Sequence, residues 1–109
     1  MEITFADGKL QKLCEQQNLA RRKLGAKCAK KLTTQLAILG AASCVTELVI
    51  GHPHPLKGDR AGEFAVNLEG GKRLVFKPDK DPIPLSEDGS IDWSKVTGVC
   101  IVFVGDYHD

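Results

Sequence analysis

The chain has 109 residues, 42% of them hydrophobic and 27% charged, a globular composition that excludes global disorder. One core is expected at this length and no second. The longest apolar run, residues 99–104, falls far short of the roughly 20 residues that a membrane-spanning helix needs. The net charge of +1 conceals an asymmetry: residues 1–36 hold eight Lys and Arg against three Asp and Glu, and residues 37–109 hold seven against eleven.

Residues 1–5 alternate apolar and polar side chains, a short strand signal. Asp7 is placed to cap a helix whose Leu10, Leu13 and Cys14 form one buried stripe. A break is expected at Asn18. A longer helix is then predicted over residues 20–42, with Leu24, Cys28, Leu32, Leu36 and Leu39 on one side and Gly25 and Gly40 as weak points. Its cations fall mainly off that stripe, and Lys27, Lys30 and Lys31 share a solvent face. The two helices are expected to form an antiparallel hairpin.

A short extended piece is predicted at residues 47–50, followed by a Pro- and Gly-rich loop over 51–62. Alternation over 63–69 and 72–77, joined by Gly70-Gly71, predicts a β-hairpin. If Phe64, Val66, Leu68, Leu74 and Phe76 face the helices, Arg73 faces the opposite, open side of the sheet. Residues 78–95 hold three prolines, five acids and two lysines and are expected to be a polar excursion outside the core. Residues 96–104 are nearly all apolar, which suits a central strand. The expected fold is an α+β domain over residues 1–109, with an N-terminal strand and helical hairpin on one face of a small, mainly antiparallel sheet.

Cys14, Cys28, Cys44 and Cys100 match neither a zinc motif nor a disulfide framework and read as small hydrophobes. No apolar segment behind a basic start opens the chain, so the expectation is a cytoplasmic protein without a secretory signal. Ionisable residues gather in the loop from His54 through Lys57 to Arg60, at Arg73, and at Asp106-Tyr107-His108. The topology can bring all three to one sheet edge. Two imidazoles, a phenol, a carboxylate and several cations there suit metal-free phosphodiester chemistry. One group removes a ribose 2′-OH proton, another protonates the leaving 5′-oxygen, and cations stabilise the phosphorane. Ordinary loop and tail positions are the competing reading for the same residues, and a metal site at His52, His54 and His108 is a weaker one.

Residues 54–66 (HPLKGDRAGEFAV), residues 72–76 (KRLVF) and the terminal Asp106-Tyr107-His108 together resemble the RelE/ParE toxin superfamily, within it the HigB, or host-inhibition-of-growth, branch. Phe5-Ala6-Asp7 and Lys12-Leu13-Cys14 are similar too, so the resemblance spans essentially the whole chain. It implies a RelE-like fold, in which the segment at about 78–95 is a polar insertion longer than the tight hairpin of compact members, and a ribosome-dependent mRNA endonuclease that inhibits translation. The implied partners are a helix-turn-helix antitoxin, the ribosome and mRNA, with no membrane, cofactor or metal. By resemblance, His54 and His108 are acid/base candidates, Arg73 is a phosphate clamp, Tyr107 stacks on a base or orients a proton, and Asp106 fixes an imidazole. Lys57, Arg60 and Lys72 would join the RNA contacts. The basic helix, with Lys27, Lys30 and Lys31, would meet ribosomal RNA or an acidic antitoxin segment. The alternatives are a ParE-like gyrase inhibitor without nuclease activity and a non-toxic interaction module of the same fold.

Overall fold

The computed structural model describes residues 1–106. Strand β1 (Glu2–Phe5) leads into three helices, α1 (Gly8–Glu15), α2 (Gln17–Leu24) and α3 (Ala26–Ala41). Asp7 caps α1 as its spacing predicted, accepting the Leu10 N–H at 2.8 Å. The first break falls at Gln16, whose backbone is extended, rather than at Asn18. The expected helix over residues 20–42 is in fact two. Gly25 adopts φ +87°, where side-chain-bearing residues are strained, and its N–H closes α2 on the Arg21 carbonyl. The hairpin is therefore formed by α2 and α3, with α1 packed beside them. Leu32 and Leu39 of α3 are buried with Cys28, so the predicted stripe holds across the part of the helix that covers the sheet.

The remaining strands are β2 (His54–Pro55), β3 (Phe64–Asn67), β4 (Arg73–Pro78) and β5 (Gly98–Gly105). All five strands form one sheet in the order β1-β5-β4-β3-β2, with β1 parallel to β5 and the other pairs antiparallel. The β3–β4 hairpin turns through Gly70 and Gly71, both at positive φ, as the sequence predicted. Phe64, Val66, Leu68, Leu74 and Phe76 join Leu32 and Leu39 in one core cluster. Residues 47–50 form no strand: Glu47 ends a short 3₁₀ turn at Val45–Glu47, and the backbone is extended at Leu48 without joining the sheet.

Two features depart further from expectation. A bulge displaces the β4–β5 register: Val75 faces Phe103 while Phe76 faces Ile101, leaving Val102 unmatched. The extra residue sets Phe103 and Ile101 on opposite faces of β5 in spite of the unbroken apolar run. The segment at residues 78–95 is also more than a polar excursion. Leu85 bridges to Ile91, Asp92 caps a 3₁₀ turn at Trp93–Lys95, and Ile91 and Trp93 pack against the core. The Trp93 ring lies 4.9 Å from that of Phe64. Among the described residues, no helix is long and apolar enough to cross a membrane.

Candidate functional site

Directly paired residues of antiparallel strands project to the same face, which places two rows of side chains on the side away from α3. His54 pairs with Ala65, Ala65 with Val75, and Val75 with Phe103. The neighbouring row is Asn67, Arg73 and Gly105, with Asp106 following. Arg73 is thus on the outer face, as the alternation predicted. The face is not bare sheet, however: Ala65 and Val75 are fully buried. Arg60, carried by the loop between β2 and β3, sets its guanidinium carbon 4.7 Å from the centre of the Phe103 ring. The same guanidinium donates to Glu63 Oε1 at 2.7 Å. A cation held over an aromatic face and paired with a carboxylate keeps a fixed direction.

Arg73 is fixed in another way, donating through Nη1 to the Gly71 carbonyl at 2.6 Å. A side chain at Gly71 would lie 3.8 Å from Asp106 Oδ2, so the Asp106 carboxylate lies by the turn whose carbonyl Arg73 engages. His54 is oriented by its own loop: Nδ1 lies 2.7 Å from the His52 carbonyl. A carbonyl only accepts, so Nδ1 carries the proton and Nε2 of the neutral ring is left as a base. His52 sits at φ +50° and stacks obliquely, its ring 4.9 Å from that of His54.

His54, Arg60 and Arg73 are therefore gathered on one side of the sheet, and Asp106 lies at the Gly71 turn that Arg73 engages. Lys57 is exposed in the loop that carries Arg60. Lys72 lies elsewhere, in a depression shared with Leu24, Lys27 and Glu69 on the side of α3. Lys27, Lys30 and Lys31 line a groove on that same helical side. Tyr107 and His108 lie outside the described residues. Sequence reading missed Phe103, whose face is set by the bulge, and Asn67, which alternation with Val66 and Leu68 does place beside Arg73. Among the described residues, no three His, Cys, Asp or Glu side chains gather closely enough to hold a metal ion.

All four cysteines are free, and Cys28 alone is fully buried. Burial, aided by the charge of Glu15, pushes the Cys14 thiol up to about 11, which makes it a poor nucleophile at neutral pH.

No family model matches the sequence, and no curated protein does. Solved structures do. A YoeB/ParE toxin from Agrobacterium tumefaciens superposes with a TM-score of 0.60 at 15% identity, covering 99% of this chain and 100% of that one. A YoeB–YefM complex from Staphylococcus aureus gives 0.59 at 18% identity over 100% of this chain and 98% of that one. The fold is that of the YoeB/ParE toxins. A YoeB dimer from Staphylococcus aureus superposes with a TM-score of 0.56, at 18% identity over 100% of this chain and 98% of that one. Within the YoeB/ParE-like fold, this chain places its histidine-bearing loop and its strand arginine on one face of the sheet.

Proposed function

We propose that this chain is the toxin of a type II toxin–antitoxin pair, of the HigB branch, acting as one domain in the cytoplasm and cutting mRNA on the ribosome. The gathering of His54, Arg60 and Arg73 on one face of a YoeB/ParE-like fold, with Asp106 at the Gly71 turn that Arg73 engages, carries the reading. In the proposed route, His54 Nε2 accepts the proton of a ribose 2′-OH as that oxygen attacks the adjacent phosphate. Arg73, helped by Arg60 and Lys57, stabilises the charge on the phosphorane. His108 returns a proton to the leaving 5′-oxygen, Asp106 orients an imidazole, and Tyr107 stacks on a base or orients a proton. The products are a 2′,3′-cyclic phosphate and a free 5′-hydroxyl. The route needs no metal, so chelator should leave it intact apart from the ribosome's own magnesium.

The partner protein is proposed by analogy with the Staphylococcus aureus neighbour, in which YoeB is bound to YefM. The Agrobacterium tumefaciens neighbour is a YoeB/ParE toxin, and its ParE kinship supports a second reading, inhibition of DNA gyrase without RNA cleavage. Expression of the chain alone, with transcript mapping, separates the two. Messages cut with 5′-hydroxyl ends support the nuclease. Growth arrest with intact messages and broken DNA supports gyrase.

A further inference from the structure

Among the described residues, Gln35 is the one polar or charged residue that is buried as a whole. It projects from α3 on the helical side, and the route proposed for RNA cleavage gives it no part. Its amide donates to the Ile50 carbonyl at 3.0 Å, and a side chain at Gly51 would collide with the same amide nitrogen. From the other side, the Asn67 N–H donates to the Gly51 carbonyl at 2.6 Å, and a Gly51 side chain would lie 3.1 Å from the Asn67 carbonyl. Residues 50 and 51 are thus clamped between α3 and the end of β3. The clamp leaves no room for a Cβ, and Gly51 sits at φ +89°.

The next residue carries the clamp to the site. His52 precedes Pro53, and a residue before proline ordinarily settles in extended backbone at negative φ. His52 instead sits at φ +50°, and among the described residues it is the one non-glycine at positive φ. Such a conformation persists only where its surroundings over-determine it. In an extended strand the carbonyl points sideways toward the neighbouring strand, away from the side chain two residues on. Here the His52 carbonyl accepts from His54 Nδ1 at 2.7 Å. We propose that Gln35 and Gly51 are positioning residues for His54. They hold His52 in the left-handed conformation, which turns its carbonyl onto Nδ1 and leaves Nε2 as the base. A buried amide on the helical side thus sets, through the backbone, the tautomer of a side chain on the outer face. The inference deepens the nuclease reading and rests on it for the role of His54 in cleavage, while the tautomer is measured without RNA.

The test is proton–nitrogen correlation NMR of the histidine rings in the full chain, at a pH where His54 is neutral, together with RNA cleavage kinetics. In the parent, neutral His54 should carry its proton on Nδ1. Gln35→Met keeps the length of the side chain and removes the donor. It should move the His54 ring toward Nε2 protonation and lower kcat by about tenfold with KM unchanged, the scale of a lost supporting contact. Cooperative urea unfolding establishes that this variant is folded. Gly51→Ala should act in the same direction by displacing the clamp. His52→Asn tolerates left-handed backbone and lacks the imidazole, so it should keep the parent tautomer. Nε2 protonation of His54 in the parent would overturn the proposal, as would a parent-like tautomer in folded Gln35→Met. A shifted tautomer in Gln35→Met with kcat unchanged would also overturn it. So would loss of the Nδ1 proton in His52→Asn, because the ring and not the backbone would then set the tautomer. A shifted tautomer in Gln35→Met, beside a parent that leaves ribosome-bound RNA intact, would uphold the clamp and refute the nuclease reading instead.

Discussion

Arg60 and Arg73 on the outer face of the sheet are held in place, one by an aromatic ring and a carboxylate, the other by a backbone carbonyl. On the helical side, Lys27 and Lys30 are exposed on α3, and Lys31 pairs with the surface carboxylate of Glu69. The first arrangement presents planar donors in fixed directions, at little entropic cost when a substrate arrives. The second presents exposed ammonium groups on long stems along a mostly apolar groove, without the planar fork of an arginine. Two arginines on one face and three lysines on the other are therefore held in different ways.

The largest effects should come from the outer face. His54→Ala is expected to lower cleavage by about 10²–10⁴-fold with the melting temperature unchanged, the loss typical of a missing general base. Arg73→Ala should cost about 10²–10³-fold, as removal of one oxyanion donor does. Arg73→Lys should restore only part of that, because an ammonium cannot span two phosphate oxygens. Single-turnover cleavage of a ribosome-bound message measures all three. Equal losses from Lys27→Ala or Lys30→Ala would erase the distinction between the faces.

A stability test sharpens the same contrast. Trp93, contributed by the segment at residues 78–95, closes one end of the core on the helical side against Phe64. Trp93→Ala should destabilise the fold by about 2–4 kcal/mol, somewhat below the usual cost of a fully buried aromatic. Urea unfolding checks this, and a loss below about 0.5 kcal/mol would return the segment to the surface role that its charge suggested.

That segment shows where sequence reading stops. Its prolines and acids dominate the composition, and Ile91 and Trp93 carry no periodicity that would reveal their packing. The β3–β4 hairpin was readable because strict alternation and Gly-Gly fix both the register and the face of Arg73. The break at Gly25 was not. The Leu24–Cys28–Leu32 spacing runs through it without interruption, and a glycine inside a helix costs only about 1 kcal/mol. Nor does an all-apolar β5 announce a bulge, so Phe103 stayed hidden as the platform for Arg60. Of the candidate site, His54, Arg60 and Arg73 are gathered on one face of the sheet, Asp106 lies at the Gly71 turn, Lys57 is exposed on the Arg60 loop, Lys72 lies with the α3 lysines, and Tyr107 and His108 lie outside the described residues.

Smaller effects probe how each cation is held. Phe103→Leu removes the ring beneath Arg60 and should cost about 0.5–1 kcal/mol of stability, together with a measurable loss of cleavage. At Glu69, the hydrogen bond and charge of Lys31 hold the carboxyl below its ordinary value. A depressed carboxyl contributes stability above the unfolded-state pKa, and that contribution fades as the pH falls through the folded value. Lys31→Ala should therefore lower the neutral plateau of the melting-temperature profile slightly and leave its acid end almost unmoved.

The central claim is the proposal that the outer face, and not the helical face, cuts RNA. The most direct measurement programs purified ribosomes with a defined message and maps the ends produced by the parent and by Arg73→Ala. The account predicts discrete cuts bearing 5′-hydroxyl ends with the parent, in chelator limited to what the ribosome tolerates, and almost none with Arg73→Ala. An intact message with the parent, or equal cutting by both proteins, would contradict it.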